Sequence, residues 1–168
     1  MGETPMEIRN RLLADKLIKN FARRHMEAYY CPTKEEAVKK ALELIPEKSS
    51  IIWGGSMTIR DMGLVKALHE GDYDIFDRDL CTDPVEAQAA MRRAFSMDWF
   101  LTSANAVSED GQIVNIDGLG NRVAAITFGP TNVLFVIGLN KVTQDLESAV
   151  KRARSTAAPI NAARFEDM

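Results

Sequence analysis

Asp117-Gly118-Leu119-Gly120-Asn121-Arg122 gathers a carboxylate, two glycines, an amide and a guanidinium into six residues. Arg122 offers a rigid fork of N–H donors matched to a carboxylate or phosphate. The glycines, Gly118 among them, let a backbone approach a ligand closely, and Asp117 can accept bonds from substrate hydroxyls or exchange a proton. The alternative for Arg122 is an ion pair with Glu109 or Asp117. A second candidate is Gly54-Gly55-Ser56-Met57-Thr58, which follows the apolar run Ser50-Ile51-Ile52-Trp53. Backbone N–H groups at such a strand-to-helix junction can hold a phosphate or carboxylate. The loop is neither G-x-G-x-x-G nor a P-loop with its lysine, so neither standard nucleotide motif is present. Its structural alternative is a tight turn with Thr58 as N-cap and Asp61 at the third helical position. Asn105 and Lys141 each follow an apolar run, and Lys141 could neutralise an anion or act as an acid if neighbours lowered its pKa. Asp117, Glu109 and Lys141 are therefore the acid–base candidates.

Other polar groups have plainer readings. Glu109-Asp110-Gly111 lies between Ala106-Val107 and Ile113-Val114, the pattern of a hairpin turn. Glu86 falls at the third position of a helix, where a capping carboxylate belongs. His25 and His69 sit near helix C-termini, with no serine, cysteine or carboxylate at a spacing that suggests a triad or metal pair. Lys151-Arg152-Arg154 reads as a solvated face.

These residues need a scaffold, and the apolar periodicity supplies one. Thr4-Pro5-Met6-Glu7 is a capping box ahead of Ile8, Leu12, Leu13, Leu17 and Phe21, which predicts a helix to about Arg24. Thr33 and Glu36 open a second helix that Pro46 ends. Strands are expected at 50–53, 73–76 and 99–102, a fully buried one at 132–138, and helices at 58–68, from 83 to about 95 and at 143–157, the last stopped by Pro159. Apolar strands separated by helical patterns of 10 to 15 residues indicate an α/β fold, three layers with a mainly parallel sheet. The hairpin near Asp110 would add an antiparallel pair inside or at the edge of that sheet. Ligands in such sheets bind beyond the carboxyl ends of the strands, where all the candidates above fall.

The 168 residues suit one domain, 1–168, with the first 24 residues as a helix packed on it. Hydrophobic residues make up 46% and charged residues 27%, and the net charge is −3. This balance, with a pI near 5.5, supplies no broad basic surface, so nucleic acid is not an expected partner. The charged N-terminus lacks the apolar core of a signal peptide, and no run reaches membrane-spanning length. Two distant cysteines, Cys31 and Cys81, make neither a disulfide framework nor a thiolate metal site, and a cytoplasmic location is expected.

Gly54 to Thr58, the helix start Asp83-Pro-Val-Glu-Ala87, the run Leu101 to Ala125 and Phe128 to Lys141 together resemble the lactate-utilisation (LUD) domain family, over nearly the whole chain. That family is similar in fold to the ribose-5-phosphate isomerase and CoA-transferase superfamily. The resemblance implies a bacterial, cytoplasmic component of L-lactate oxidation to pyruvate that works with iron–sulfur partner subunits, binding a small anionic ligand. The ligand residues expected are Gly54, Gly55, Ser56, Thr58, Asn105, Asp117, Gly118, Asn121, Arg122 and Lys141, with no metal among them. The isomerase and transferase relatives carry acidic side chains where this chain has Asn105, a departure that weighs against their chemistry. Many family members continue into a cysteine-bearing tail, whereas this sequence reaches Met168 without those cysteines, so no directly bound iron–sulfur cluster is expected. Two alternatives stand beside this: a stand-alone isomerase or transferase acting on a sugar phosphate or CoA ester, and a non-catalytic assembly subunit. A homodimer is compatible with each.

Overall fold

Strand-forming side chains alternate between two faces, and this alternation organises the larger part of the chain. The computed structural model describes residues 2–77 and 80–164. They divide into two compact units: Thr33–Ser103 with Asp117–Val136, and Met1–Pro32 with Ala104–Ile116 and Ile137–Met168.

In the first of these, β1 (Ser50–Trp53), β2 (Asp74–Phe76), β3 (Trp99–Thr102) and β6 (Asn132–Phe135) form one sheet in the order β2-β1-β3-β6, every pair parallel. Successive strand residues point to opposite faces. Ile51, Trp53, Leu101 and Leu134 accordingly enter a core with α2 (Lys34–Leu44), α3 (Met57–Asp61) and α4 (Leu64–His69), through Ala41, Ile59 and Leu68. Ile52, Phe100 and Val133 enter a second core, with Ala94 and Met97 after α5 (Pro84–Arg93) and Ala125 of α6 (Asn121–Phe128). Helices on both faces of a parallel sheet make this unit a three-layer α/β structure, as the sequence predicts.

Asp98, just ahead of β3, joins the amino ends of three strands. Its carboxylate accepts from the Ser50 amide at 2.8 Å and the Ser50 hydroxyl at 2.7 Å, while its carbonyl accepts from the Asn132 amide at 3.0 Å. The bonds from Ser50 hold the Asp98 carboxyl below its ordinary pKa. A lowered carboxylate pKa stabilises the fold above the unfolded-state value, and that contribution is lost as pH falls through the folded value. Asp98→Ala is therefore expected to melt below the parent by a constant margin above about pH 5, a margin that narrows below about pH 4. Melting curves across that range check it; a margin that widened in acid would contradict it.

The second unit begins with α1 (Pro5–Ala22), capped as expected: the Thr4 amide donates to Glu7 Oε2 at 2.7 Å and the Glu7 amide to Thr4 Oγ1 at 3.3 Å. Leu13 and Leu17 of α1 share a core with Val107. A three-stranded sheet runs β5-β4-β7, with β4 (Ala106–Ser108) antiparallel to β5 (Ile113–Val114) and parallel to β7 (Val142–Thr143). The hairpin about Asp110 is thus present but lies outside the parallel sheet, contrary to expectation. Both edges of β3 are already paired, to β1 and β6, and the hairpin pairs instead with Val142 and Thr143.

Four further expectations need correction. β6 is an edge strand and half-buried rather than fully buried. The helix expected at 58–68 is two short helices, α3 and α4, separated at Gly63, and Ser56 rather than Thr58 occupies the N-cap position. Thr143 belongs to β7, and the helix after it, α7 (Leu146–Arg152), is capped by Asp145, whose carboxylate accepts from the Ser148 amide at 2.8 Å. Pro159 does not stop the chain. The helix widens into a π turn at Ala153–Ala157 and resumes as α8 (Ala158–Ala162), with Pro159 in its first turn, where a missing N–H is tolerated. Among the described residues no helix is long and apolar enough to cross a membrane.

Candidate functional site

The loop from Asp117 to Gly120 must turn sharply to start α6, and Gly120 makes the turn with φ 74°, a left-handed conformation that side chains disfavour. As N-cap, Gly120 has no side chain to satisfy the first amides of the helix. Asp117 does this from three residues upstream: its Oδ2 accepts from the Val123 amide at 2.6 Å. A carboxylate there also complements the helix dipole. Its other oxygen, Oδ1, accepts from Arg122, with Nε and Nη2 each at 2.7 Å. Arg122 Nη1 reaches the carbonyl of Ser103, just past the end of β3, at 3.3 Å. The Asp117 side chain is 8% exposed and that of Arg122 20%.

The guanidinium plane is therefore fixed from two sides at the carboxyl end of the parallel sheet. The ion pair of Arg122 with Asp117 is present, and no contact of Arg122 with Glu109 accompanies it among the described pairs. Asp117 offsets much of the field of Arg122, so recognition here depends on N–H geometry more than on net charge. A Cβ on Gly54 would lie 3.7 Å from Arg122 Cδ, which puts the end of β1 against the same guanidinium stem.

The Gly54 loop supplies its groups differently from the expectation. The Gly54 amide donates to the Leu101 carbonyl at 3.0 Å, and the Ser56 amide donates to the Gly54 carbonyl at 2.7 Å. The pairing of β1 with β3 continues through Gly54, so that amide is not directed at a ligand. The Ser56 hydroxyl oxygen is shielded from solvent and has no hydrogen-bond partner in the protein, leaving its donor and acceptor capacity for a ligand or water. Asn121 and Gly54 line a crevice of about 10 Å³ between α6 and β1, room for about one water molecule. Gly55, Thr58 and Gly118 belong to the same unit as Arg122.

Asn105 and Lys141 belong to the other unit. The Asn105 side-chain oxygen accepts from the Ile116 amide at 2.9 Å, and its own carbonyl accepts from Arg152 Nη1. Arg152 is thus a half-buried tie rather than part of a solvated face. Lys141 ends a 3-10 turn, Leu139–Lys141, its amide donating to the Gly138 carbonyl at 2.9 Å. Glu109 is paired with Lys16 of α1 at 2.5 Å, and Asp110 accepts from Ser108, from Gln112 Nε2 at 2.7 Å and from Arg24 at 3.3 Å. Glu109 therefore anchors the hairpin turn to α1, and Asp110 anchors it to Arg24 just beyond the end of α1. The two bonds from Ser108 and Gln112 lower the Asp110 pKa.

One pair escapes a reading by sequence spacing. His69 Nε2 lies 3.2 Å from Asp77 Oδ2, and the His69 ring meets Trp53 edge-on at 5.8 Å. The two residues are eight apart in sequence and meet because the chain returns through α4 to lay β2 parallel to β1, with Asp77 directly after β2. Within the described residues no cluster of three or more His, Cys, Asp or Glu side chains could hold a metal ion.

The model of the LUD domain family matches residues 14–168. No curated protein matches the chain.

Proposed function

Because the chain belongs to the LUD domain family, a lactate-utilisation-related family, we propose that it is a cytoplasmic component of L-lactate oxidation to pyruvate. In this reading it holds a small anionic ligand, and iron–sulfur partner subunits take the two electrons that lactate loses. The observation that supports the ligand site best is the fixed guanidinium of Arg122, anchored by Asp117 and the Ser103 carbonyl. The Ser56 hydroxyl, buried and unpartnered, adds a second polar group in the same unit. Asp117 acts in this scheme by orienting Arg122 rather than by meeting substrate hydroxyls.

L-lactate or pyruvate is expected to raise the melting temperature of the purified protein. Arg122→Ala should weaken that binding by about tenfold or more, the worth of a hydrogen bond to a charged group, and should abolish growth on lactate in a strain dependent on this protein. Arg122→Lys keeps the charge without the fork and should recover only part of the affinity. Unchanged shifts and unchanged growth in Arg122→Ala would remove the site. Turnover of a sugar phosphate or CoA ester by the isolated chain would instead favour the isomerase or transferase reading.

A further inference from the structure

A cleft in the α/β unit lies away from Arg122, at the carboxyl end of β2. It measures about 530 Å³, within the range of small-molecule sites. Ile75, Leu80 and Ala89 give it an apolar wall, and Asp77, Glu86 and Arg93 supply its charges. It shares no residue with the Arg122 site, and its assignment is independent of the lactate reading.

We propose that this cleft binds the nucleoside portion of a ligand, a purine base joined to ribose. Three observations converge on that chemistry. First, the chain from β1 through Gly54-Gly55, α3 and α4 to β2 is a parallel strand–helix–strand unit, and Asp77 is the first residue beyond the second strand. In dinucleotide-binding units a carboxylate at that place accepts the hydroxyls of ribose. The Gly54-Gly55 loop lacks their glycine fingerprint, so the comparison extends to the ribose position and not to a pyrophosphate. The contact from His69 at 3.2 Å orients Asp77, and a carboxylate has capacity for several bonds at once.

Second, the Arg93 guanidinium sits 4.9 Å from the centre of the Phe76 ring. A cation held over an aromatic ring beside apolar side chains is a platform for a heteroaromatic base. Third, among the described residues that line the cleft, Asp77 and Glu86 bring two carboxylates and Arg93 one guanidinium. That balance repels a free carboxylate or phosphate, which sets this cleft apart from an anion site, and favours a neutral group rich in hydroxyl donors.

Adenosine titrated into the full-length protein tests this, followed by ligand-observed NMR and calorimetry. Saturable binding is expected, with 2′-deoxyadenosine weaker by about tenfold for the lost hydroxyl-to-carboxylate bond. Ala89→Trp places a ring in the cleft from an exposed helix position and should abolish binding while leaving the melting curve unchanged. Absence of saturation by adenosine would overturn the proposal. Binding that survives Ala89→Trp would overturn it too, as would tighter binding of spermidine than of adenosine, since that would make the cleft a site for cations.

Discussion

Asp117→Ala is expected to lower the free energy of unfolding by about 3 kcal/mol. Breaking a fully buried ion pair from one side costs about 3–5 kcal/mol, but Arg122 keeps 20% of its side chain in solvent, which relieves part of that cost. A second loss adds to it, because the Val123 amide at the start of α6 loses its acceptor, worth about 1 kcal/mol for a helix cap. Asp117→Asn keeps an oxygen for that amide and removes only the charge, so it should cost about half as much. Urea unfolding separates the two. Equal stability of Asp117→Ala and the parent would show that Arg122 is held by other contacts. The ligand response should fall with Asp117→Asn even where the fold survives, since the guanidinium is then no longer anchored by a charge.

Gly129→Ala is the other large effect. A Cβ there would stand 2.2 Å from the Ala125 carbonyl oxygen and 2.8 Å from the Ala125 carbonyl carbon, all backbone. The last turn of α6 must open or the chain after it must shift, a cost of about 3 kcal/mol or more. Gly54→Ala is the instructive contrast. Its added methyl would meet Phe100, Thr102 and Arg122 at 3.4 to 3.7 Å, ordinary contact distances, so it should unfold within about 1 kcal/mol of the parent. Chemical denaturation of both variants checks the pair, and a reversal of their order would refute the steric account.

That contrast also marks how far the sequence is legible. A glycine in a suggestive loop and a glycine ending a helix look alike on paper, and only the neighbouring backbone decides which one a methyl would break. β1 and β3 can be read to the residue, because short apolar runs bounded by polar residues leave one solution. The caps of α1 and α2 are equally plain, since Thr4 and Thr33 each stand three residues before a glutamate. The hairpin is legible as a hairpin, yet its sheet is not: pairing with Val142 and Thr143 is a choice among partners distant in sequence. The helix expected from residue 143 begins only after Asp145, because Thr143 is already committed to β7. In the site, the link between Asp117 and Arg122 is within reach of sequence reasoning, five residues apart across two glycines. The link between His69 and Asp77 is not, for it depends on where α4 and β2 end.

The interleaving of the two units along the chain bears on the order in which they form. The unit containing α1 is assembled from three segments, separated by the excursions 33–103 and 117–136. Closing long flexible loops costs entropy that grows with their length, and contacts between distant segments slow folding. Collapse of the α/β unit shortens both excursions before the three segments need to meet. The parallel sheet is thereby a kinetic template: refolding should show the α/β unit protected from hydrogen exchange first, and α1 acquiring protection only after the sheet exists.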